Sequence, residues 1–425
     1  MQRLFRAVKI VSPTSAHHGQ VQDILVDQGQ IKAIGSSLEA ADAEVIELAD
    51  AHVSSGWVDL EAEGGDPGLE HREDSQSLLL AAAAGGYTHI GVRPKAEPPI
   101  HDKSGVHYLL QQANTSVSAL LPIGAISRNL KGEDITEMLD MKQAGAIAFS
   151  DGSKSVQLAG LMLRALQYAK SLDGRVMNQP LEKSIAGSGQ MHEGPMSTRL
   201  GMRGIPALAE QMMIERDLNL LAYTESRLHI SHVSTAAGVE SIRQAKANGL
   251  AVTASVAALN LLLTADDLGQ FDSHFKVLPP LRAESDRQAL IAGLKDGTID
   301  CIASNHCPRE LERKLLEFAY ADFGAATLST AFSAARTGIE SALTEEDLIE
   351  KFTAGPRKVF GLPAHKIEEG ANADLTFYQY DSSWVPTSAD IRSKSANSPL
   401  IDRKLMGRPL AVLRGDRLHL NAQPK

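Results

Sequence analysis

The pattern of hydrophobic and polar positions divides the chain into three parts. Residues 1–54 have the alternation of short strands, and Asp27-Gln28-Gly29 between two alternating runs predicts a hairpin turn. From Ser55 onward, apolar runs of strand length alternate with helical patterns that end at glycine, as at Gly85 and Gly145. After about residue 362 the pattern returns to strands and turns.

The middle part contains eight strand–helix units, which is the number that a closed barrel needs. Their strands are predicted at 57–63, 87–93, 117–126, 146–150, 175–178, 227–231, 250–256 and 299–304. The sequence therefore predicts an α/β fold with a (β/α)8 TIM barrel over residues 55–362. The chain ends, 1–54 and 363–425, are predicted to form one small flanking β domain. An open doubly wound sheet is the alternative, but no glycine-rich dinucleotide fingerprint follows the first barrel strand.

Two segments outside the regular strands and helices have the composition of loops. Residues 382–400 are rich in Ser, Asp, Asn and Pro, which predicts a long surface loop. Residues 181–202 are polar and rich in Gly and Met, and the sequence leaves open whether they are ordered.

Composition narrows the class of protein. The 425 residues are 43% hydrophobic and 22% charged, and the net charge of −10 argues against a nucleic-acid partner. The longest apolar run, 78–84, is too short to span a bilayer, and the N-terminus lacks a signal-peptide layout. Because the two cysteines, Cys301 and Cys307, have no Cys-x-x-Cys spacing, we expect a cytoplasmic protein without structural disulfides.

Candidate chemistry lies at the carboxyl ends of the predicted barrel strands, where such barrels hold their active sites. Asp59, Glu61 and Glu63 alternate along the first strand and point to one side, which is costly unless they meet a cation. The other strand ends carry Lys95, Asp151, Gln179, His232, Asn305 and His306. Of these, His232 and Asp151 are the good zinc ligands, whereas the neutral amides of Gln179 and Asn305 are weak ones.

Several segments resemble dihydroorotases, a branch of the cyclic amidohydrolases, and the likeness extends over about residues 5–420. The most specific segments are Gly145-Ala146-Ile147-Ala148-Phe149-Ser150-Asp151, residues 200–210, Leu228-His229-Ile230-Ser231-His232-Val233-Ser234-Thr235, Pro279-Pro280-Leu281-Arg282 and residues 296–303. The resemblance implies the same barrel and a place in the dihydroorotase branch.

At most positions where the family has its catalytic, metal-binding and substrate-binding residues, this chain carries other residues. In the family, an Asp-x-His-x-His strand binds catalytic zinc and a following Arg holds the substrate carboxylate. Here Glu61 and Glu63 stand at the two His positions and Gly65 at the Arg position. The other family positions are also changed: Lys95 replaces the Asn of the substrate loop, Gln179 the strand-five His, Asn305 the strand-eight Asp and Arg309 a later His.

The resemblance is greatest to an inactive dihydroorotase homologue that accompanies aspartate carbamoyltransferase in some bacteria. It implies a non-catalytic protein of pyrimidine biosynthesis, with zinc absent and with Asp151 and His232 as vestigial metal candidates. It also implies a hetero-oligomer with the aspartate carbamoyltransferase catalytic chain. Two alternatives stay open: an active metal-dependent hydrolase with a Glu-rich site, and a small-molecule sensor. If the metal cavity is empty, Glu61 and Glu63 are expected to pair with Lys95 or an Arg.

Overall fold

The structure is a computed structural model that describes residues 2–269 and 271–421. Met1 and residues 422–425, the outer ends of the two predicted β segments, lie outside these ranges.

The strands, in chain order, are β1 (Arg3–Ile10), β2 (Val21–Asp27), β3 (Gln30–Gly35), β4 (Glu44–Glu47), β5 (His52–Ser55), β6 (Trp57–Ala62), β7 (Tyr87–Val92), β8 (Ala119–Gly124), β9 (Ala148–Phe149), β10 (Val176–Asn178), β11 (Met191–His192), β12 (Gly204–Ile205), β13 (Leu228–Ile230), β14 (Val252–Ala257), β15 (Cys301–Ala303), β16 (Asp374–Trp384), β17 (Leu405–Arg414) and β18 (Arg417–Leu420).

The helices are α1 (Ser75–Ala84), α2 (Lys103–Gln112), α3 (Met138–Ala144), α4 (Ala159–Ser171), α5 (Lys183–Ala186), α6 (Pro195–Arg199), α7 (Ala207–Thr224), α8 (Ala236–Ala247), α9 (Ala258–Leu262), α10 (Glu284–Lys295), α11 (Leu311–Lys314), α12 (Ala331–Ile339), α13 (Glu345–Glu350) and α14 (Ala354–Phe360). Short 3-10 turns lie at Arg128–Leu130, Ala265–Leu268, Ser273–Phe275, Leu328–Thr330 and Ser388–Asp390.

The eight predicted barrel strands are present and parallel, in the order β6, β7, β8, β9, β10, β13, β14, β15. Hydrogen bonds from the segment after β15 tie it to β6. The Ser304 backbone N–H and hydroxyl both donate to the Asp59 carboxylate at 2.7 Å, and the Glu63 N–H donates to the His306 carbonyl at 2.9 Å. The TIM-barrel prediction is therefore confirmed.

The two chain ends build a second sheet beside the barrel, as predicted. It contains β1–β5 from the start of the chain and β16–β18 from its end. The predicted hairpin is also present, because β2 and β3 pair antiparallel around Gln28 and Gly29, with φ of 47° and 74°. Positive φ at both turn residues matches the twist of the strands that they join. The domain boundaries at residues 54 and 362 stay predictions.

An aromatic cluster joins the barrel to this second sheet. Trp57, at the start of β6, is fully buried, and its ring centroid lies 4.5 Å from that of Phe332, 5.4 Å from Phe352 and 5.3 Å from Tyr378. Tyr378 belongs to β16 of the flanking sheet, so the cluster packs both parts of the fold around one side chain.

The two segments with loop composition are both structured, and both are partly buried. Residues 181–202 contain α5, β11 and α6. Within 382–400, the prediction of a surface loop is wrong for the second half, where Ser393, Ser395 and Asn397 are buried. The Ser395 hydroxyl donates to the Arg72 carbonyl at 2.8 Å, and Asn397 Oδ1 accepts from the Arg309 N–H at 2.9 Å. These polar side chains are buried because they satisfy backbone groups of the loops at the barrel mouth.

The helices within the described ranges are all too short or too polar to cross a lipid bilayer.

Candidate active site at the barrel mouth

Five polar side chains from five barrel strands meet at the carboxyl end of the barrel. They are Glu61 on β6, Arg93 after β7, Gln179 after β10, His232 after β13 and Asn305 after β15. The parallel strands bring their ends to one edge, so residues far apart in sequence become neighbours.

The guanidinium of Arg93 occupies the centre of this group. Its Nη2 donates to His232 Nδ1 at 3.1 Å, to Asn305 Oδ1 at 3.3 Å and to Gln179 Oε1 at 3.5 Å. Its Nε lies 3.7 Å from Glu61 Oε1, and its Nη1 lies 4.0 Å from Glu63 Oε1. The Arg93 side chain is 1% exposed, so its charge is compensated by these neighbours rather than by water.

Two of these residues have unusual backbone conformations. His232 has a φ of 54° and Asn305 a φ of 51°, in the left-handed region that non-glycine residues rarely adopt. The His232 N–H donates to the Ser255 hydroxyl at 3.1 Å, which helps to hold that turn. Strain of this kind is typical of functional sites, where the surrounding structure over-determines a side-chain position.

Glu61 and His232 form a buried pair beneath Arg93. Burial raises the pKa of Glu61 above its usual value, although the charge of Arg93 acts in the opposite direction. Burial, and then the charge of Arg93, holds the pKa of His232 well below its usual range. Because a guanidinium can only donate, Nδ1 accepts and the ring proton of neutral His232 is on Nε2. Within the described residues, that Nε2 and both Glu61 oxygens have no hydrogen-bond partner.

Glu63 belongs to a separate charge network at the rim. Its Oε2 accepts from Arg309 Nη1 at 2.8 Å and from Lys95 Nζ at 3.1 Å, and its Oε1 accepts from the Ser153 hydroxyl at 3.3 Å. Burial alone would raise the pKa of Glu63, but Arg309, Lys95 and Arg93 together hold it well below its usual value. The expected pairing of Glu63 with Lys95 is thus present, whereas the cation nearest to Glu61 is Arg93.

Three sequence candidates lie outside the central group. Asp151 accepts from the backbone N–H groups of Ile126 and Ser127, each at 2.9 Å, and so fixes a loop. His306 Nδ1 accepts from the Thr327 N–H at 3.1 Å. Gly65 has a φ of 70°, and a Cβ there would lie 2.4 Å from the Glu73 carbonyl oxygen. An Arg at this position would require a different loop conformation. The backbone of this loop is therefore compatible only with the glycine that the sequence has there.

A cavity of about 280 Å³ opens above the group. Its lining includes four cationic side chains and one carboxylate, namely Arg72, Arg93, Lys95, Arg309 and Asp322. Arg93 lines the cavity, whereas Glu61 and His232 are fully buried and are not part of the lining. The guanidinium therefore separates the Glu61–His232 pair from the cavity.

Arg93 and Arg309 are the site residues whose roles the sequence did not predict. Arg93 directly precedes Pro94 at the end of a barrel strand, only two positions before the candidate Lys95. The sequence signal that could have identified Arg93 is a cationic side chain at the end of one barrel strand, next to a strand that carries three carboxylates.

Comparisons with known proteins agree on the family. A family model described as dihydro-orotase-like matches residues 52–238. The dihydroorotase of Pelotomaculum thermopropionicum is 39% identical over 422 residues, which cover 98% of this chain and 98% of the relative. The dihydroorotase of Syntrophotalea carbinolica is 39% identical over 393 residues, 92% of each chain. Among solved structures, the L-hydantoinase (dihydropyrimidinase) from Arthrobacter aurescens has a TM-score of 0.85 at 24% identity, covering 100% of this chain and 98% of that one. This structural likeness supports the fold.

These findings overturn two expectations. The prediction of a non-catalytic chain is wrong, because relatives that match it over nearly its whole length are named as enzymes. The expectation that zinc is absent is corrected by the same finding, because dihydroorotases are typically metal-dependent enzymes.

The donor set at the barrel mouth does not itself assemble a zinc site. A catalytic zinc takes three protein ligands and an open position. Glu61 Oε2 and His232 Nδ1 lie 3.7 Å apart, but Glu63 is engaged by Arg309 and Lys95, and Gln179 and Asn305 offer neutral amides. In the part of the chain that the structure describes, no group of three or more His, Cys, Asp or Glu residues could hold a metal ion. As arranged here, the residues do not fit the metal.

Proposed function

Because this chain belongs to the dihydroorotase-like family, we propose that it is a cyclic amidohydrolase of the dihydroorotase type, which opens or closes the ring of an acidic cyclic amide. The observation that carries this proposal is the likeness to dihydroorotases over the whole chain.

The charge of the cavity supports an acidic substrate. Lys95, Arg309 and Arg72 face one another across a space that suits a small molecule. Glu63 pairs with Lys95 and Arg309, and Glu310 pairs with Arg72 at 2.9 Å, so a bound carboxylate would share these cations with the protein's own carboxylates. Since Gly65 offers no side chain, we assign recognition of the substrate carboxylate to Lys95, which is 27% exposed, with Arg72 beside it.

Turnover tests the proposal directly. We expect the purified chain, supplied with Zn²⁺, to interconvert dihydroorotate and carbamoyl aspartate. Lys95→Ala should raise KM about tenfold or more, because a charge-assisted hydrogen bond to the substrate is lost, with a smaller change in kcat. Lys95→Arg should preserve much of the binding, and Lys131→Ala, on the exposed surface, should leave both constants unchanged. A folded chain that converts neither compound, with or without Zn²⁺, would refute the proposed activity.

We also propose that the chain acts in the cytoplasm in a complex with the catalytic chain of aspartate carbamoyltransferase. Exposed apolar side chains on α7 support this assembly: Leu208 is 51% exposed, Met212 47% and Tyr223 75%. Their spacing puts them on one side of the helix, together with the polar Glu215 and Asn219, and exposed apolar side chains of this kind are typical of interaction sites. This proposal is independent of turnover.

Light scattering tests the assembly. Mixing the chain with the carbamoyltransferase should give a complex larger than either component. Met212→Glu together with Tyr223→Glu should weaken it, whereas Val385→Glu, at a residue 50% exposed elsewhere, should not. A carbamoyltransferase of unchanged size in the mixture would contradict the proposal.

A further inference from the structure

We propose that a cavity at the amino-terminal end of the barrel binds a small organic molecule that carries a di- or triphosphate group. The cavity has a volume of about 510 Å³ and lies at the starts of β10, β13, β14 and β15, whereas the candidate active site lies at the ends of barrel strands. Among the described residues, the two cavities have no lining residue in common. Binding here is therefore separate from the proposed activity, and each can fail without the other.

Two arginines lie side by side at this cavity. Arg175 directly precedes β10 and Arg227 directly precedes β13, and both line the cavity. The two strands are parallel neighbours in which Val176 pairs with Leu228, so the arginines occupy matching positions. Because like charges repel each other, this arrangement is unfavourable unless an anion is near.

The Arg175 guanidinium has no such anion within the protein. Among the described residues its side chain forms no hydrogen bond and no ion pair, and burial, followed by the charge of Arg227, lowers its pKa. Asp173 acts in the opposite direction, but it is 78% exposed and pairs with Arg227 Nη1 at 2.6 Å. A Cβ added to Gly361 would lie 2.3 Å from Arg175 Nη2, so the guanidinium packs closely against that glycine. Arg175 is thus a positioned donor whose acceptor is not supplied by the chain.

Two lysines add to the positive charge. Lys246 Nζ lies 2.6 Å from Asp300 Oδ2, and Lys358 Nζ lies 3.8 Å from Asp300 Oδ1. A single carboxylate therefore serves two lysines, and the described lining contains no other acidic side chain. Charged residues at this end of a barrel usually stabilise the fold. Four cations around one carboxylate do not form the matched pairs that such a role needs, in a chain whose net charge is −10.

Phosphate is the anion that this donor set suits best. A guanidinium presents paired N–H groups that bind two phosphate oxygens at once, and two neighbouring arginines with two lysines can hold more than one phosphate group. The rest of the wall is partly apolar, with Leu228, Leu250 and Val359 in the lining. Apolar walls with a few polar groups are typical of small-molecule sites of this volume, so the ligand has an organic part as well as phosphates.

Titration calorimetry of the full chain tests the proposal, with pyrophosphate and ATP as probes. The buffer has constant ionic strength, because salt screens such contacts, and contains EDTA to exclude metal ions. We expect both probes to bind, and ATP to bind more tightly because of the apolar wall. Arg175→Ala and Arg227→Ala should each weaken ATP binding about tenfold or more, since each removes charge-assisted hydrogen bonds. Arg175→Lys keeps the charge without the paired donors, and its affinity should lie between those of the wild type and Arg175→Ala.

Matched variants decide whether the anion binds at this end of the barrel. Arg164→Ala removes an exposed Arg of α4 that is outside the cavity lining, and should leave ATP affinity unchanged. Lys95→Ala removes a cation from the cavity at the barrel mouth and should also have no effect on ATP binding. If Lys95→Ala abolished binding and Arg175→Ala did not, the anion would lie at the mouth and the proposal would be wrong.

Wild-type affinity for ATP in a folded variant with both Arg175→Ala and Arg227→Ala would also overturn the proposal, as would a wild-type chain that binds neither probe at millimolar concentration. ATP that binds no more tightly than pyrophosphate would overturn the assignment of an organic ligand.

A measurement on the wild type does not depend on the folding of variants. Saturating ATP should protect Lys246 and Lys358 from chemical acetylation, whereas the exposed Lys103 on α2 should react equally with and without ATP. Mass spectrometry of the peptides measures each reaction. Equal acetylation of Lys246 and Lys358 with and without bound ATP would refute the proposed site.

Discussion

Replacement of Glu63 by alanine is expected to lower the free energy of unfolding by about 3–5 kcal/mol, because removing one partner of a buried charge network leaves the others uncompensated. The Glu63 side chain is 5% exposed and accepts from Arg309 at 2.8 Å and from Lys95 at 3.1 Å. Arg309 is itself 7% exposed, so water compensates its charge less well than the carboxylate does. Denaturant unfolding of the wild type and the variant measures the loss.

Two further variants separate charge from packing. Glu63→Gln retains the shape and part of the hydrogen bonding, and should lose less stability than Glu63→Ala. Removing both charges, in Glu63→Leu with Arg309→Met, should cost less than the two single changes added together, because no unpaired charge remains. Strictly additive losses would show that Glu63 and Arg309 do not interact.

The effect of Glu63 should also depend on pH. Its pKa is held well below the usual value, so its contribution to stability is present above the unfolded-state pKa and is lost as the pH falls toward the folded-state pKa. The difference in stability between the wild type and Glu63→Ala should therefore be largest near neutral pH and shrink in acid.

Replacement of Trp57 by alanine is expected to cost about 3–5 kcal/mol as well, for a different reason: it creates a large cavity in the core. The indole is fully buried, its ring contacts Phe332, Phe352 and Tyr378, and its Nε1 donates to the Ser54 hydroxyl at 2.9 Å. Because the cluster spans the barrel and the flanking sheet, loss of the indole should shift the unfolding of both parts to lower denaturant concentration.

Trp57→Phe is the control, since it keeps an aromatic ring and much of the volume, and it should cost clearly less than Trp57→Ala. If Trp57→Ala is as stable as Trp57→Phe, the cluster does not hold the two parts of the fold together.

The departures from the family pattern at the barrel mouth are physically consistent with one another. Arg93 donates toward the neutral amides of Gln179 and Asn305, which accept hydrogen bonds without adding charge. Arg309 and Lys95 compensate Glu63, and the backbone at Gly65 turns where a side chain would collide with the Glu73 carbonyl. Restoring a single family residue is therefore expected to disturb its neighbours.

The sequence by itself determined the architecture of this protein. Eight strand–helix units, the hairpin at Asp27-Gln28-Gly29 and the strands of both chain ends were all predicted from periodicity and turn residues. They were predictable because strand and helix patterns depend on neighbours within a few residues. The predicted strand ends also located most of the polar groups at the barrel mouth, because such barrels carry their active sites at the carboxyl ends of the strands.

Only the tertiary structure decided which partner each polar group has. Asp151, a good zinc ligand by type, is bound to the backbone of Ile126 and Ser127, and the polar side chains of Ser393, Ser395 and Asn397 are buried against barrel loops. Arg93 meets His232, 139 positions away, at the centre of the site. The physical reason is that a hydrogen bond or an ion pair requires its atoms to lie within about 3–4 Å of one another. Which strand ends come that close is a property of the closed barrel rather than of any local stretch of sequence.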